Sequence, residues 1–215
     1  MGNFFVIGFA LFYFFQSDQV VVVDNFEKLD ENHWKGRDKG HEKIYKFKHD
    51  GKSGFLAAKS LNSDNFIIKK VTIDLVKYPY LNWKWRTHVL PLAGDESIKE
   101  KCDVAASIAV VLNASKWSPK SIKYSWSISI SKGTFSKSPY ACWPARSDIY
   151  VVESGKGRVG DWKSEKVNVL EHYKSLYNET NVKSKVIEAI VIMTDSDNTA
   201  SPSEADYDEI YFSKN

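Results

Sequence analysis

The chain has 215 residues, with 30 basic and 27 acidic side chains and a formal net charge of +3. This length is enough for one sizeable domain with a hydrophobic core. Because the charges nearly balance and the lysines are scattered, the composition excludes any electrostatic reason to expect a nucleic-acid partner.

The first predicted element is an apolar run, FFVIGFALFYFF, at residues 4–15. It is shorter than the about 20 apolar residues of a membrane-spanning helix, and its length is typical of the core of a secretory signal peptide. No basic residue precedes it, and Phe15 lies where a small residue is preferred, so an uncleaved anchor or a buried helix is an alternative. We expect residues 1–17 to be a signal peptide or N-terminal anchor and residues 18–215 to form a single periplasmic or secreted domain. A membrane is a partner only if the segment is uncleaved.

Short strands bounded by turn residues follow. They are predicted at residues 20–23, 43–48, 54–58, 66–69, 72–80 leading into 81–88, 104–112, 122–130, 148–152 and 187–193, with a last strand closing at Ile210 and Phe212. One short helix is predicted after Asn168, which can cap it, with Glu171 three residues on as a capping-box acid. The profile predicts an all-β fold, an antiparallel β-sandwich with one helix. The polar stretch 94–103 is interpreted as a functional loop or a crossover.

Two of these strands alternate clearly. Trp83 shares a face with Leu81 and Trp85, and Trp126 lies on the apolar face of residues 122–130, so both Trp83 and Trp126 are predicted core residues on facing or adjacent strands. The opposite faces carry Lys84, Arg86, Lys123, Ser125 and Ser127. If both strands lie in one sheet, these residues form a shallow polar surface on which Arg86 is a candidate ligand-binding residue. A merely hydrated sheet face is the alternative.

Five segments together resemble one family. They are PYLNWKWRTHVLP from residue 79, DVAASIAVVL from 103, IKYSWS from 122, MTDSDNT from 193 and YDEIYF from 207. Their order and spacing resemble the bacterial DUF3047 family, a domain of unknown function, over nearly the whole chain after the apolar run. The resemblance implies a galactose-binding-like jelly roll, a fold class that includes many carbohydrate-binding modules. It also implies export, but no activity, because the family has no established one.

The turn after residues 187–193 carries Asp195, Asp197 and Asn198. Two carboxylates and an amide are hard oxygen ligands that suit calcium, although the twelve-residue calcium-loop pattern is incomplete here. We interpret the three as ligand-binding candidates at the sheet edge. The alternative is an Asx turn, in which their side chains bond the turn's own backbone amides.

Asp24 and Asp208 are candidates for a structural calcium site, the one cofactor that the sequence indicates. In jelly rolls of the resembling type the first and last strands pair, which would bring these two acids together. Two like charges need a cation or a basic neighbour to lie side by side. Two solvated acids at strand ends are the alternative.

The segment SPYACWPARS contains Tyr140, Trp143 and Arg146. An aromatic ring at a loop surface offers a flat face on which a sugar ring can stack, and Arg146 can bond a hydroxyl or a carboxylate. The alternative is that the rings fold back over the core. Cys142 in this segment and Cys102 form either one disulfide or two unrelated thiols, and the sequence leaves both open.

No catalytic constellation stands out, since the five histidines are scattered and no G-x-S-x-G motif occurs. The leading hypothesis is therefore a non-catalytic module of the cell envelope that binds a saccharide or glycoconjugate. The second is a polysaccharide hydrolase or lyase with Asp195, Asp197 and Arg86 near the reacting bond. The third is a protein-interaction domain without a small ligand.

Overall fold

The computed structural model describes residues 19–28, 33–115, 117–141, 144–157 and 159–215. Within these ranges the chain forms two helices, α1 (His41–Ile44) and α2 (Val169–Tyr177), and a 3-10 helix at Lys99–Lys101. The strands are β1 (Val20–Asp24), β2 (Lys35–Gly36), β3 (Tyr45–His49), β4 (Gly54–Ser60), β5 (Phe66–Asp74), β6 (Tyr80–Val89), β7 (Ala106–Asn113), β8 (Lys120–Ser127), β9 (Phe135–Lys137), β10 (Arg146–Ser154), β11 (Lys163–Asn168), β12 (Val186–Met193) and β13 (Ser203–Ser213).

The strands form two sheets. The six-stranded sheet has the order β11-β6-β13-β4-β3, with β1 also paired to β13, and the seven-stranded sheet has the order β2-β5-β12-β7-β8-β10-β9. The all-β jelly-roll sandwich predicted from the sequence is confirmed. One pair departs from the antiparallel pattern, because β10 runs parallel to β8. The short strands β2 and β9 and the charged edge strand β11 were not predicted.

The core lies between the sheets and is rich in aromatic rings. Trp83 and Trp126 are each 1% exposed, which confirms them as core residues. Trp83 packs against Tyr124 at 6.0 Å between ring centroids, and Trp85 packs against Trp126 at 5.8 Å. These contacts join β6 of one sheet to β8 of the other. The polar faces of β6 and β8 therefore lie on opposite outer surfaces of the sandwich, and the condition that they share one sheet is not met.

Helix α2 begins as its sequence predicts. Asn168 caps it, with its side-chain oxygen accepting a hydrogen bond from the Glu171 amide at 3.0 Å. Asn178 ends it in the left-handed conformation at φ 56°, which asparagine tolerates well. Tyr173 buries its ring beneath the helix at 1% exposure, so the apolar stripe of α2 completes one margin of the core.

The polar stretch 94–103 is a crossover that carries the chain from β6 in one sheet to β7 in the other. Its buried residues include Glu96 and Cys102. Glu96 is 0% exposed and accepts a hydrogen bond from the Ser127 hydroxyl at 2.6 Å, and Cys102 is a buried free thiol. Its possible partner Cys142 lies outside the described residues, as does the apolar run at residues 4–15. Among the residues described, no helix is long and apolar enough to cross a membrane.

Candidate functional site

A groove of about 500 Å³ lies over the outer face of the seven-stranded sheet. Its floor is formed by alternate residues of four neighbouring strands, whose in-between residues point into the core. The floor residues are Phe66 and Ile68 of β5, Val191 and Met193 of β12, Ser107, Ala109 and Val111 of β7, and Ser121 and Lys123 of β8. The groove is thus an apolar floor with serines and one lysine along its β7 and β8 side.

Three acids meet at one end of this groove. Ligand oxygens of Asp103, Asp195 and Asp197 all lie within 4.8 Å of one another. Asp103 is held by three donors, since its carboxylate accepts from the Asn198 amide at 3.0 Å, the Thr199 amide at 2.7 Å and the Thr199 hydroxyl at 2.5 Å. The turn after β12 is therefore bonded to Asp103 in the segment that leads into β7, and this orients the Asp103 carboxylate toward the turn.

Asp195 is the least compensated member of this cluster. Its own backbone is fixed on both sides, with its amide donating to the Val104 carbonyl at 2.8 Å and its carbonyl accepting from the Ser203 hydroxyl at 2.7 Å. The side chain is not. The residue is 5% exposed, and Oδ1 has no hydrogen-bond partner among the described residues.

The electrostatics of Asp195 follow from this position. Burial raises the pKa of Asp195 to about 8, Lys123 acts in the opposite direction, and a hydrogen bond with Asp197 raises it further. At neutral pH the Asp195 side chain is therefore mostly a neutral acid beside carboxylates. The neighbouring thiol is also neutral, because burial raises the pKa of Cys102 to about 11.

The rim of the groove carries an exposed ring and a surface ion pair. Tyr140 is 54% exposed, and its hydroxyl lies 3.2 Å from the Lys99 carbonyl oxygen and 3.3 Å from Asn198 Oδ1, both of which can accept its proton. Arg37 and Asp64 also line the groove, and they form a bidentate pair that includes an Nη1–Oδ2 hydrogen bond of 2.6 Å. The Tyr140 ring is thus held in place while much of its surface stays open to solvent.

The structure brings four of the predicted ligand-binding residues together in this groove: Tyr140, Asp195, Asp197 and Asn198. It places two others, Arg146 and Arg86, elsewhere. Arg146 bonds Asp148 at 3.2 Å and the Leu176 carbonyl at 3.1 Å, which ties β10 to the end of α2. Trp143 lies outside the described residues.

Arg86, another of the predicted ligand-binding residues, lies on the outer face of the six-stranded sheet. Its Nε donates to Asp206 at 2.7 Å, and its guanidinium lies 4.5 Å from the centroid of the Trp162 ring. It is therefore across the sandwich from Asp195, so the arrangement of Arg86, Asp195 and Asp197 around one reacting bond is not present.

The predicted calcium ligands Asp24 and Asp208 lie near the paired chain ends. Strands β1 and β13 do pair, with Asp24 opposite Ile210. Asp24 Oδ2 accepts from Lys69 Nζ and from Trp34 Nε1, each at 2.8 Å. Lys69 thus supplies the basic neighbour that was the alternative to a cation. Burial raises the pKa of Asp208 to about 6. Calcium at this pair stays a prediction.

Sequence reasoning missed several residues of the groove. Asp103 was not singled out, because its contacts with Asn198 and Thr199 span 95 and 96 positions along the chain. Lys123 was placed on a polar face by the alternation of β8, which was a correct but incomplete signal. Arg37 comes from the segment between β2 and α1, for which no strand or ligand pattern was recognised.

A larger groove of about 790 Å³ lies beside β2, α1 and β3 and is lined by residues that include Trp34, His41 and Glu42. Its described acids, Asp38 and Glu42, are both exposed to solvent. The first residue of its lining, Trp34, lies two positions after residues 29–32, which the structure does not describe. The groove of the seven-stranded sheet holds a buried acid, Asp195, whose Oδ1 atom has no hydrogen-bond partner among the described residues, and it is therefore the better-supported candidate site.

Fold and site together define a jelly-roll β-sandwich with a groove across the outer face of one sheet. The chain belongs to the DUF3047 family, since residues 32–211 match the family described as "Protein of unknown function (DUF3047)". The resemblance found in the five sequence segments is thereby confirmed. No curated protein matches the chain in sequence.

Several solved structures share the sandwich. A family 12 xyloglucanase from Bacillus licheniformis is 8% identical with a TM-score of 0.46, and the match covers 92% of this chain and 94% of that one. Endoglucanase 3 of family GH12 from Trichoderma harzianum is 9% identical with a TM-score of 0.44, covering 90% and 95%. The xyloglucanase domain of NopAA from Sinorhizobium fredii, in complex with cellobiose, is 6% identical with a TM-score of 0.43, covering 82% and 95%. At such identities the likeness is one of fold alone.

Proposed function

We propose that the protein binds a saccharide or glycoconjugate, without catalysis, in the groove of the seven-stranded sheet. The observation that carries this proposal is the pairing of an exposed, anchored Tyr140 ring with polar side chains that end in the same groove. A sugar ring has an apolar face of C–H groups and an edge of hydroxyls, so it needs both kinds of surface at once.

The apolar half of the groove suits the faces of sugar rings. Its floor is formed by aliphatic and aromatic side chains of β5 and β12, including Ile68, Phe66 and Met193. The floor crosses four strands, β5, β12, β7 and β8, and three strand spacings amount to about 14 Å. That span is longer than one pyranose ring, so a short oligosaccharide is the ligand that the groove fits best.

The polar half supplies hydrogen-bond partners of both kinds. Asp197 and the Asn198 side-chain oxygen can accept from sugar hydroxyls, whereas Lys123 and the Asn198 side-chain nitrogen can donate to them. The hydroxyls of Ser107 and Ser121 already donate to Met193 O and Ser147 Oγ, so toward a ligand they are acceptors. A pocket that combines a mostly apolar lining with a few convergent polar groups is the usual form of a small-molecule site.

Binding can be measured with a glycan array followed by titration calorimetry on the oligosaccharide that binds most strongly. We expect Tyr140→Ala to weaken binding about tenfold or more, because stacking on an aromatic ring contributes on the order of 1–2 kcal/mol. Tyr140→Phe keeps the ring and is expected to retain most of the affinity. Trp117→Ala removes a ring that is 81% exposed but does not line the groove, and it should leave binding unchanged.

Two results would contradict the proposal. If no glycan binds to the folded wild-type protein, the proposed ligand class is wrong. If a glycan binds but Tyr140→Ala and Trp117→Ala have the same effect, the ligand lies outside this groove.

A second candidate function is glycoside cleavage, and one observation favours it. A neutral acid beside a carboxylate, as Asp195 is beside Asp197, is the pairing that glycoside hydrolases use. Ligand oxygens of the two acids lie within 4.8 Å of each other, however, which is closer than the about 5–9 Å that separates the two carboxyl groups of glycoside hydrolases. Release of reducing ends from a bound glycan, lost in Asp195→Asn while binding persists, would favour the enzyme over the binding module.

We also propose that the protein is exported to the periplasm or secreted, on the strength of the apolar run at residues 4–15. N-terminal sequencing of the protein recovered from its native host tests this. A mature chain that starts near residue 18 is expected. A cytosolic protein that still begins at Met1 would contradict export.

A further inference from the structure

The end of the groove gathers three acidic side chains near one described lysine. Asp103, Asp195 and Asp197 bring three carboxyl groups to one point, and Lys123 is the cation whose charge acts on Asp195 there. The Arg37 guanidinium, which also lines this groove, is engaged by Asp64 in a bidentate pair.

The spacing of the three acids suits a single ion. One ligand oxygen from each lies within 4.8 Å of the others. Calcium binds oxygens at about 2.3–2.6 Å, so an ion between two of these oxygens can reach both even at the largest separation. Magnesium demands a nearly ideal octahedron at about 2.0–2.1 Å and gives up its water reluctantly, so three carboxylates held by the fold suit it less well.

The second observation is independent of charge counting. Asp195 is 5% exposed and lines the groove, yet its Oδ1 atom has no hydrogen-bond partner among the described residues. A buried polar atom normally has a partner, and one without is costly. The free oxygen of Asp195 is therefore available to a ligand that enters the groove.

The third observation is that the ligands are already held in position. Asp103 keeps its orientation through three hydrogen bonds from Asn198 and Thr199, and both backbone groups of Asp195 are bonded. A carboxylate can accept more bonds than these donors occupy, so Asp103 remains able to bind an ion. Little ordering is then needed when an ion binds.

We propose that Asp103, Asp195 and Asp197 form a binding site for a divalent cation of the calcium type at the end of the groove. Water molecules complete its coordination, since calcium takes about six to eight oxygen ligands. The proposal stands apart from saccharide binding, because it concerns the protein and the ion alone.

The test is calorimetric titration of the chelator-treated, full-length protein with CaCl₂ in the absence of any glycan, with the melting temperature measured in parallel. We expect one calcium ion per chain and a higher melting temperature with calcium than with EDTA, because an ion that binds only the folded state stabilises it. MgCl₂ is expected to bind more weakly.

Asp197→Asn is the informative variant, because Asp197 is exposed and its replacement leaves the core packing intact. We expect calcium affinity to fall at least about tenfold, a loss that is seen even when an outer-shell partner of a metal site is removed. Glu100→Gln is the matched control. It removes the same charge from the neighbouring 3-10 helix, outside the cluster, and should leave affinity unchanged.

Two outcomes would overturn the proposal. One is that the wild-type protein shows no calcium binding up to about 5 mM, beyond the range of weak extracellular calcium modules. The other is that Asp197→Asn binds calcium as tightly as Glu100→Gln does, which would place the ion elsewhere, for instance at Asp24 and Asp208.

Discussion

On the outer face of the six-stranded sheet the buried acid Asp206 has two bonded partners, whereas on the outer face of the seven-stranded sheet the buried acid Asp195 has an oxygen with none among the described residues. Both residues are 5% exposed, so burial does not distinguish them. What differs is the supply of donors. Arg86 and His88 lie on β6 beside Asp206, and the groove offers no donor placed equally well for Asp195.

The difference shows which charged residues hold the fold and which remain available to a ligand. Arg86 donates to the Asp206 carboxylate, and its guanidinium lies over the rings of Phe55 and Trp162. These contacts indicate that its charge stabilises the six-stranded sheet. Asp195 can still bind a ligand, because its buried Oδ1 atom has no hydrogen-bond partner among the described residues. Burial of that atom is unfavourable for folding.

The largest expected effect concerns the core that both faces share. Trp83→Ala and Trp126→Ala should each lower the free energy of unfolding by about 3–5 kcal/mol, because each removes a large ring from between the sheets. Urea denaturation measures this, with the exposed Trp117→Ala as the control. Unchanged denaturation midpoints for both core variants would show that Trp83 and Trp126 do not stabilise a core shared by the two sheets.

Arg86→Ala tests whether the charges of the six-stranded face are structural. The substitution leaves Asp206 buried with only His88, and we expect a loss of about 2–3 kcal/mol of stability, below the about 3–5 kcal/mol of a fully buried pair. Lys84→Ala on the same strand removes a more exposed pair with Glu209 and should cost less than about 1 kcal/mol. If both variants lose the same free energy of unfolding in urea, the Arg86–Asp206 pair contributes no more stability than the exposed Lys84–Glu209 pair.

Asp195→Asn tests the acid in the groove, and this substitution is expected to raise the stability of the protein rather than lower it. In the metal-free protein the pKa of Asp195 is about 8, against about 3.9 in an unfolded chain. Between these values the folded state binds more protons than the unfolded state, so this residue makes stability fall as pH rises from about 4 to about 8, and the effect then levels off. Asn needs no proton to donate a hydrogen bond to Asp197.

We therefore expect Asp195→Asn to raise the stability at pH 8 and to change little at pH 4, because Asn carries no charge whose burial is unfavourable at the higher pH. Denaturation of both proteins across this pH range in EDTA measures the difference, and the exposed Asp161→Asn is the control. Parallel profiles for wild type and Asp195→Asn would show that Asp195 is as well compensated as Asp206.

Local patterns were predictable from the sequence, and contacts between distant segments were not. Asn168 and Glu171 predicted the start of α2, and the alternation of β8 predicted that Trp126 faces the core and Lys123 does not. A period of two shows which residues share a face, but it does not show to which sheet a strand belongs. The sequence therefore left open whether Arg86 and Lys123 share one surface, and the structure places them on opposite sides of the sandwich.

The candidate site was predictable in part for the same reason. Asp195, Asp197 and Asn198 follow one strand and stand together in the sequence, so the turn was recognised. Asp103 joins them only because β7 and β12 are neighbours in the folded sheet. The edge strand β11 was missed because its sequence, KSEKVN, carries charge rather than an apolar alternation.

The place of β13 in the six-stranded sheet bears on how the chain is made. This strand, Ser203–Ser213, pairs with β6 on one side and with β4 and β1 on the other. Because the ribosome synthesises the chain from its N-terminus, β1, β4 and β6 all emerge well before β13, the strand with which each of them pairs. The nascent chain therefore exposes their apolar residues for most of its synthesis, and the sheet closes only after translation has passed residue 213.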